Sequence, residues 1–580
     1  MTARQSWIAA IWESCPEIAE TARICRRPIL AVGFFSVFVN ILYLISPIYM
    51  MQIYNRVLGS GNVDTLVLLT VVLIVTLAVM SLLDYVRSML LVWVGRRIDV
   101  SLGTRTFDAQ VKAGCVPGRK ASGQTLRDLD SIRQFLTSAG VQAAFDAPWV
   151  PIYILFLFVL HPALGVMATV CAVLLLLVAN LNNFITRPPL KAANEAMLKN
   201  YAFTEASLRN AEAMTAMGMI PAVMRKWAAS RDEALLEQAD ASRSASSFAA
   251  LTKFLRILMQ SLVLGLAAYL VIHQSASAGA VFASSLLLGR ALAPVEHMVG
   301  VWKQVVDVQA AFRRLVDEYR TYPVPPPAMP LPRPQGRLVI DRISFTMNRG
   351  ANIILRNVSF AAEPGEVVAV VGPSAAGKSS LMRLLVGVWR PDGGIVRLDG
   401  SDMARWNKEN LGPHIGYLPQ DIELFAGTVQ ENIARFSDAA PDAIVSAAKL
   451  AGAHELILGL PKGYDTEIGD GGVFLSAGQR QRIGLVRAVF GNPSLVVLDE
   501  PNSNLDSDGE VALRLLLQRL KQAGTSVVMV SHRASILDAV DKMLVLREGQ
   551  VEHYGGKNEV LALLNQKAAA VRAVSVVNAS

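Results

Sequence analysis

Residues 366–387 read EVVAVVGPSAAGKSSLMRLLVG, and this stretch decides the fold of the second half of the chain. A β-branched apolar run comes first, a Gly-rich turn follows, and the last third has the pattern of a helix. Gly372 to Ser379 matches the spacing G-x-x-x-x-G-K-[ST], which requires a strand before it and a helix after it. We therefore predict a loop whose backbone N–H groups surround the phosphates of a nucleotide.

Phosphate and Mg²⁺ binding explain the residue types in this loop. Glycine lets the backbone approach a phosphate closely, Lys378 can reach the β and γ phosphates, and the hydroxyl of Ser379 suits Mg²⁺. The N-terminus of the following helix adds positive potential. The predicted nucleotide-binding residues here are Gly372, Pro373, Ser374, Ala375, Ala376, Gly377, Lys378, Ser379 and Ser380.

Two acids follow another buried strand pattern. The run LVVL, residues 495–498, leads directly into Asp499 and Glu500, and ligands of parallel sheets bind at the carboxyl ends of strands. We predict that Asp499 binds Mg²⁺ and that Glu500 polarises the attacking water, since phosphoryl transfer needs mainly positioning and charge neutralisation. A pair of surface acids at a strand end is the alternative, and the phosphate loop argues against it.

Around these motifs, short β-rich runs alternate with helical patterns, which indicates an α/β domain with a largely parallel sheet. We place this domain at 337–570 and a tail at 571–580. The Pro-dense segment TYPVPPPAMPLPRPQG, 321–336, can hold neither a helix nor a central strand, so we predict a linker there.

The first half of the chain has the composition of a membrane protein. Hydrophobic residues make up 52% of the whole sequence and charged residues only 18%. Six apolar runs are long enough, or nearly so, to cross the hydrocarbon layer as helices. They cover about Pro28–Met51, Thr65–Leu83, Pro148–Leu160, Ala163–Leu181, Ile257–Ile272 and Ala280–Ala293. We predict an all-α transmembrane domain at 28–320, after a short cytoplasmic segment at 1–27.

The excess of basic residues is concentrated in particular segments of the chain. Lys and Arg exceed Asp and Glu to give a net charge of +8, and the excess lies in two long helix-forming segments, 84–145 and 182–256. The positive-inside rule then puts both termini in the cytoplasm of a multi-pass inner-membrane protein. We expect no nucleic-acid binding, because no basic stretch is interleaved with aromatic residues.

Three single residues become interpretable only beside these motifs: Gln420 in GYLPQD, Asp506 in SNLD and His532 in VMVSHR. With LSAGQ, 475–479, the ordered set resembles an ATP-binding cassette domain, and the six preceding spans resemble those of an exporter half-transporter. The resemblance implies that Gln420 senses the γ-phosphate and Mg²⁺, and that His532 holds the γ-phosphate and the water. It also implies that Ser476, Gly478, Gln479 and Asp506 contact nucleotide.

LSAGQ opens a helix, so its free N–H groups and the Ser476 hydroxyl form an anion site. The same chain already has a phosphate loop at Gly372 to Ser379. By family geometry, the site of one chain closes over the nucleotide of another, which implies a homodimer with two composite sites.

The sequence departs from the family pattern at two places. Where many relatives stack an aromatic ring on adenine, this chain has Met347, and we expect Phe345 to lie on the other face of the strand. Ala477 replaces a glycine that is common in the signature motif. Met347 is therefore the predicted, weaker contact to the base.

The cargo has to be inferred from other segments. Residues 46–70 and the segment DEPNSNLD, 499–506, resemble type I secretion exporters of proteases and toxins. That resemblance implies export of an unfolded protein with a C-terminal signal, with a membrane fusion protein and an outer-membrane duct as partners. Only about 27 residues precede the first span, too few for a peptidase domain, so we expect uncleaved substrates.

Other functions remain open at this stage. A lipid or drug exporter is the main alternative. A soluble cassette ATPase acting on nucleic acid is disfavoured by the six spans, and an ATP-gated channel or receptor is disfavoured by Glu500 and His532.

Arg290 is a charged residue within the last span, where a charge is costly. We expect it to face the interior or water rather than lipid. Snorkelling to the membrane interface, or pairing with an acid such as Glu296, is the alternative.

Overall fold

A computed structural model describes residues 15–118, 123–324, 331–347, 352–531 and 533–566. The chain divides into two compact units, the first made of Met1–Ala113 and Ala121–Pro323, the second of Gly114–Lys120 and Val324–Ser580. His532, the predicted tail and part of the predicted linker lie outside the described residues.

The described part of the first unit is built from helices. Several of them are far longer than a membrane is thick, at 52, 48 and 53 residues for α4, α8 and α10. The helices are α1 Pro16–Leu42, α2 Ile45–Gln52, α3 Leu58–Ser60, α4 Val63–Gly114, α5 Gln124–Leu136, α6 Ala139–Asp146, α7 Val150–Leu160, α8 Pro162–Arg209, α9 Ala211–Ala216, α10 Ile220–Ile272, α11 Ala278–Gly300 and α12 Trp302–Thr321.

The prediction of six spans is confirmed, because six helical segments of the described chain are long and apolar enough to cross a membrane. The predicted runs are parts of longer helices: Thr65–Leu83 lies within α4, and the polar segments continue α4, α8 and α10 as helix. Pro151 does not break its span, because it lies in the first turn of α7, where its missing N–H has no helical partner to lose.

The helix α11 is the most enclosed of the six spans. Half of its most apolar window is buried, compared with a third or less for each of the other five. Its side chains Leu287, Leu288 and Ala291 belong to a core that also contains Leu157 of α7 and Leu164 of α8. The last span is therefore the central helix of the first unit.

A buried polar cluster joins four elements of the first unit. Arg87 of α4 is 3% exposed and contacts Asp84 at 2.9 Å and Asp146 of α6 at 2.8 Å. The same guanidinium donates to the hydroxyl of Ser36 at 3.1 Å, and Asn40 donates to Asp146 at 2.8 Å. The Tyr153 hydroxyl donates to the Asn40 carbonyl oxygen at 2.9 Å and completes the cluster.

A second polar contact joins the hairpin of the first two spans to the hairpin of the last two. The chain makes one π-helical turn at Ile53–Val57, and within it Asn55 donates to the Ser277 hydroxyl at 3.0 Å and accepts from the Gly279 N–H at 2.8 Å. The ring of Tyr54 stacks on Phe282 at 4.4 Å. Asn55 thus caps the N-terminus of α11 from another helix.

The second unit contains two sheets. One is antiparallel with the order β2-β1-β4-β5, and the other has the order β10-β9-β3-β8-β7-β6 with only β10 antiparallel. The strands are β1 Leu338–Met347, β2 Asn352–Ala362, β3 Val367–Val371, β4 Gly393–Leu398, β5 Ser401–Asp402, β6 Ile415–Leu418, β7 Leu495–Asp499, β8 Ser526–Val530, β9 Lys542–Arg547 and β10 Gln550–Gly556.

Helices cover the larger sheet, as the apolar runs of its strands require: every residue of β7 and β8 is buried, and core side chains pack on both faces. The helices are α13 Lys378–Leu385, α14 Lys408–Leu411, α15 Val429–Ile433, α16 Pro441–Leu450, α17 His454–Leu458, α18 Ala477–Val489, α19 Ser507–Gln522 and α20 Ala534–Leu537, and residues 557–566 are also helical. The predicted α/β fold with a largely parallel sheet is confirmed, and the antiparallel sheet is an addition that the sequence did not predict.

Candidate nucleotide-binding site

The predicted phosphate loop connects β3 to α13, as the motif requires. At Gly372 an added Cβ would lie 2.1 Å from the Leu546 carbonyl oxygen of β9, so only glycine fits beside that strand. At Gly377, the residue before α13, φ is +94° and a Cβ would lie 2.8 Å from Leu355. The backbone of the loop is therefore shaped by its glycines and turned back over the end of the sheet.

Lys378 is held across this loop. Its ammonium donates to the carbonyl oxygens of Gly372 at 2.8 Å and Pro373 at 2.9 Å, and the residue is 8% exposed. These contacts fix a positive charge at the start of α13, where backbone N–H groups also point outward. Ser374, Ala375 and Ala376 complete the turn, and Ser379 and Ser380 lie in the first turn of α13.

Asp499 ends β7 and is 1% exposed. The Ser379 hydroxyl is hydrogen-bonded to its side chain, while its Oδ1 is buried without a hydrogen-bond partner among the described residues. Burial raises the pKa of Asp499, and Ser379 opposes that shift. The Ser379 hydroxyl and the Asp499 Oδ1, which has no hydrogen-bond partner among the described residues, are neighbouring oxygen atoms. This pair fits Mg²⁺, a cation that prefers oxygen ligands.

Glu500 and Gln420 meet at the same edge of the sheet. Gln420, which follows β6, donates to the Glu500 carboxylate at 3.3 Å. Glu500 has φ +51°, a conformation that is unusual for a residue with a side chain and is found mostly at functional sites. The geometry thus brings together the loop lysine, the two acids and Gln420, while the position of His532 is not described.

Gln481 is a supporting residue that our reading of the sequence missed. It is 1% exposed and donates to the carbonyl oxygens of Pro501 at 2.8 Å and Glu500 at 3.4 Å. Its own oxygen accepts from Asn504 at 3.4 Å. Gln481 therefore fixes the strained turn that carries Glu500, and only the spacing of one helical turn from Gly478 could have indicated it.

Ser476 opens the helix α18, as predicted. Its hydroxyl accepts from the Gln479 N–H at 3.2 Å, and the Gln479 side chain accepts from the Ser476 N–H at 2.8 Å, which is a capping box. The hydroxyl is the acceptor in this pair, so its proton can still be donated to an anion. Ser476 and Ala477 are exposed, and an added Cβ on Gly478 would lie 3.0 Å from the Asn504 carbonyl oxygen.

Asp506 caps the next helix, α19. Its carboxylate accepts from the Gly509 N–H at 2.8 Å and from Arg482 at 2.5 Å. The hydrogen bond from Gly509, followed by that from Arg482, lowers the pKa of Asp506. Among the described residues these local contacts occupy Asp506, so any contact to nucleotide remains a prediction.

The expectation for the adenine side contained one wrong argument. Residues two apart on a strand share a face, and Phe345 and Met347 do contact the same core. What separates them is burial: Phe345 is 4% exposed and stacks on Trp389 at 5.1 Å, whereas Met347 is half-buried at the end of β1. Phe345 is thus occupied by the core, and Met347 stays the predicted contact to the base.

Comparison with known families covers both units. Residues 29–294 match the ABC transporter transmembrane region and residues 355–503 match the ABC transporter family. By its fold, the chain resembles a solved structure described as a bacterial Atm1-family ABC exporter with ATP bound, with a TM-score of 0.80 over 93% of this chain and 96% of that one at 21% identity.

Individual proteins of this kind are similar to the chain over most of its length. The chain is 42% identical over 94% of both lengths to the type I secretion system ATP-binding protein PrsD of Rhizobium meliloti. It is 30% identical to the cyclolysin secretion/processing ATP-binding protein CyaB of Bordetella pertussis, over 93% of this chain and 76% of that protein. The leukotoxin translocation ATP-binding protein LktB of Mannheimia haemolytica matches at 30% over 92% and 76%.

Proposed function

The chain belongs to the ABC transporter family, and from that premise we propose that it exports an unfolded polypeptide across the inner membrane as the energising component of a type I secretion system. A multi-pass transmembrane unit and an ATP-binding unit are the two parts that such coupling needs. The observation that carries the proposed cargo is the 42% identity to PrsD over 94% of both chains, since that protein is named for type I secretion.

We assign the chemistry to the residues that the second unit brings together. The loop from Gly372 to Ser379 would bind the phosphates, and Ser379, Asp499 and Gln420 would hold Mg²⁺, which when bound would supply neutralisation of phosphate charge. Glu500 accepts the proton of the attacking water, while Gln420 at 3.3 Å orients its carboxylate. His532 completes the site on the family resemblance alone.

The second half of the site is proposed to come from another copy of the chain. Ser476 and its helix have an exposed N-terminus, and among the described residues no hydrogen bond or ion pair joins them to the phosphate loop. This supports a homodimer in which Ser476, Gly478, Gln479 and Asp506 of one copy close over the nucleotide of the other.

Substitution of Ser476 tests this arrangement. Ser476→Arg places a bulky cation in the closing interface, so we expect hydrolysis to fall to background while ATP binding, measured with a fluorescent nucleotide, is retained. Ala477→Gly is the matched control and should leave both nearly unchanged. Loss of ATP binding in Ser476→Arg would contradict a site supplied by a second chain.

The remaining assignments follow the same premise. We propose that both termini and the ATP-binding unit are cytoplasmic, because the polar extensions of α4, α8 and α10 hold the basic residues. A membrane fusion protein and an outer-membrane duct are the proposed partners, and a C-terminal signal on the secreted protein is the proposed recognition element.

The cargo is tested with the reconstituted full-length transporter. We expect the last ~60 residues of candidate secreted proteins, a segment long enough to include an unfolded C-terminal signal, to stimulate ATP hydrolysis. Membrane lipids and hydrophobic drugs serve as the comparison. Stimulation by lipids or drugs alone would replace protein export by lipid or drug export.

A further inference from the structure

Arg290 lies in the middle of the last span. It is 12 residues from the start of α11 at Ala278 and 10 residues from its end at Gly300. At about 1.5 Å per residue these separations are ~18 Å and ~15 Å, so the residue is near the centre of a ~30 Å hydrocarbon layer. Lipid head groups at either surface are farther away than one side chain can reach.

The acids that could pair with Arg290 make their direct ion pairs with other arginines. Asp84 and Asp146 pair with Arg87, and Glu296 pairs with Arg256 at 2.6 Å, so the predicted alternative of an Arg290–Glu296 pair is not what the structure shows. Instead the guanidinium of Arg290 lies 3.8 Å above the ring of Tyr43. None of the ion pairs described for the chain includes Arg290.

The Arg290 side chain is nevertheless exposed, although α11 is the most enclosed span. A charged group at this depth requires water or a polar partner, because hydrocarbon offers neither. Tyr43 holds the cation from one side by a cation–π contact and leaves its N–H groups free to donate. Arg290 is thus an exposed cation at mid-membrane depth that makes no direct ion pair among the described residues.

We propose that Arg290, supported by Tyr43, binds carboxylates of the exported polypeptide as it crosses the membrane. The inference rests on the proposed function and adds a chemical preference to it, for acidic over neutral segments. The planar guanidinium suits a carboxylate with two parallel hydrogen bonds, which the ring of Tyr43 leaves in plane and accessible. The carboxylates come either from Asp and Glu side chains or from the C-terminus of the cargo.

The test uses the full-length transporter in nanodiscs and fluorescent, flexible Gly-Ser-Glu repeat peptides of about 20 residues. A Gly-Ser-Gln peptide is the neutral match, and each peptide is made with an amidated and a free C-terminus. Binding is measured by anisotropy, and the readout is the ratio of Kd values within each variant. We expect the wild type to bind the Glu peptide about tenfold more tightly than the Gln peptide, the gain of a charge-assisted contact.

In Arg290→Gln this preference should fall to parity, whereas Arg290→Lys should keep part of it. Arg56→Gln is the control, because Arg56 is another exposed arginine of the first unit, in the π-helical turn, and should retain the full preference. A preference for the free over the amidated Gln peptide, lost in Arg290→Gln, would identify the C-terminal carboxylate as the source. Tyr43→Leu, compared with Tyr43→Phe, should lower the preference two- to tenfold, since only the phenyl ring keeps the cation–π contact.

An acidic preference that survives in Arg290→Gln would overturn the proposal, as would a wild type without any preference. If Arg290→Gln changes only the dependence of ATP hydrolysis on anionic phosphatidylglycerol in the nanodisc, Arg290 binds lipid and the proposal is also wrong. These outcomes differ from failure of the proposed function, in which secreted-protein segments do not stimulate the wild type at all and lipids or drugs do.

Discussion

Arg87 in the first unit and Asp499 in the second are both almost completely buried, at 3% and 1% exposure, but only one of them is compensated. Arg87 has two carboxylates and a hydroxyl around its terminal nitrogens, and only its Nε lacks a partner. Asp499 has one hydroxyl and an oxygen that accepts from nothing. A buried charge that the protein itself satisfies contributes to the fold, while one that it leaves open is available to a ligand.

The largest effect is expected beside Asp499. Glu500→Gln removes the proposed general base, so kcat for ATP hydrolysis should fall by about 10²–10⁴-fold. The temperature at which the protein unfolds should barely change, because Glu500 is only partly buried. Hydrolysis is measured as phosphate release, with Glu409→Gln at an exposed glutamate as the control. A wild-type rate in Glu500→Gln would show that Glu500 is not the general base for ATP hydrolysis.

Arg87→Met should act in the opposite way. It leaves two half-buried carboxylates without their cation, which costs about 3 kcal/mol, the low end for a buried pair because solvent screens the acids, and should lower the unfolding midpoint of the solubilised transporter. Arg26→Met, at an exposed arginine of α1, is the control. Adding Asp84→Asn and Asp146→Asn to Arg87→Met should recover much of the loss. A stable single mutant would mean that the cluster does not compensate the charge.

Asp499→Asn should stabilise the protein in EDTA by about 1–2 kcal/mol, because it removes a buried charge that makes no direct ion pair among the described residues. Because the pKa of Asp499 is raised, the folded state binds the proton of this carboxyl more tightly than the unfolded state does. The contribution of Asp499 to stability is therefore greatest in acid and is lost as the pH rises through the raised pKa. We expect the stability difference between variant and wild type to grow as the pH rises above about 4, the unfolded-state pKa of aspartate. Stabilisation by Mg²⁺ should disappear in the variant. A variant that Mg²⁺ still stabilises equally would place the metal elsewhere.

The smallest effect belongs to the edge of the Arg87 cluster. Ser36→Ala removes one of three acceptors around the guanidinium, while both carboxylates remain, so the loss should be only about 0.5–1 kcal/mol. Thermal unfolding compared with Ser275→Ala, a serine in the loop before α11, measures it. A loss as large as that of Arg87→Met would show that the hydroxyl is as important as the acids.

The two centres also differ in how far they could be predicted. The phosphate loop and the acids after β7 lie within contiguous motifs, because local backbone geometry requires those residues at that spacing, so Lys378, Ser379, Asp499 and Glu500 were found from the sequence. The partners of Arg87 come from α1, α4 and α6, so no local pattern joins them, and our reading of the sequence left them unassigned. Long-range packing likewise decided the stacking of Phe345 on Trp389 and the support of Glu500 by Gln481.

The contact of Asn55 with the start of α11 makes separation of these two helix ends cost free energy. Asn55 is hydrogen-bonded to Ser277 and to Gly279 of the last hairpin, and Tyr54 stacks on Phe282 beside it. Contacts of this kind together contribute about 2–4 kcal/mol, so losing them would increase the population in which these two helix ends are apart by about 30- to 1,000-fold. Such a contact keeps the two helix ends together at rest, and a ligand that binds a separated arrangement would have to offset its free energy.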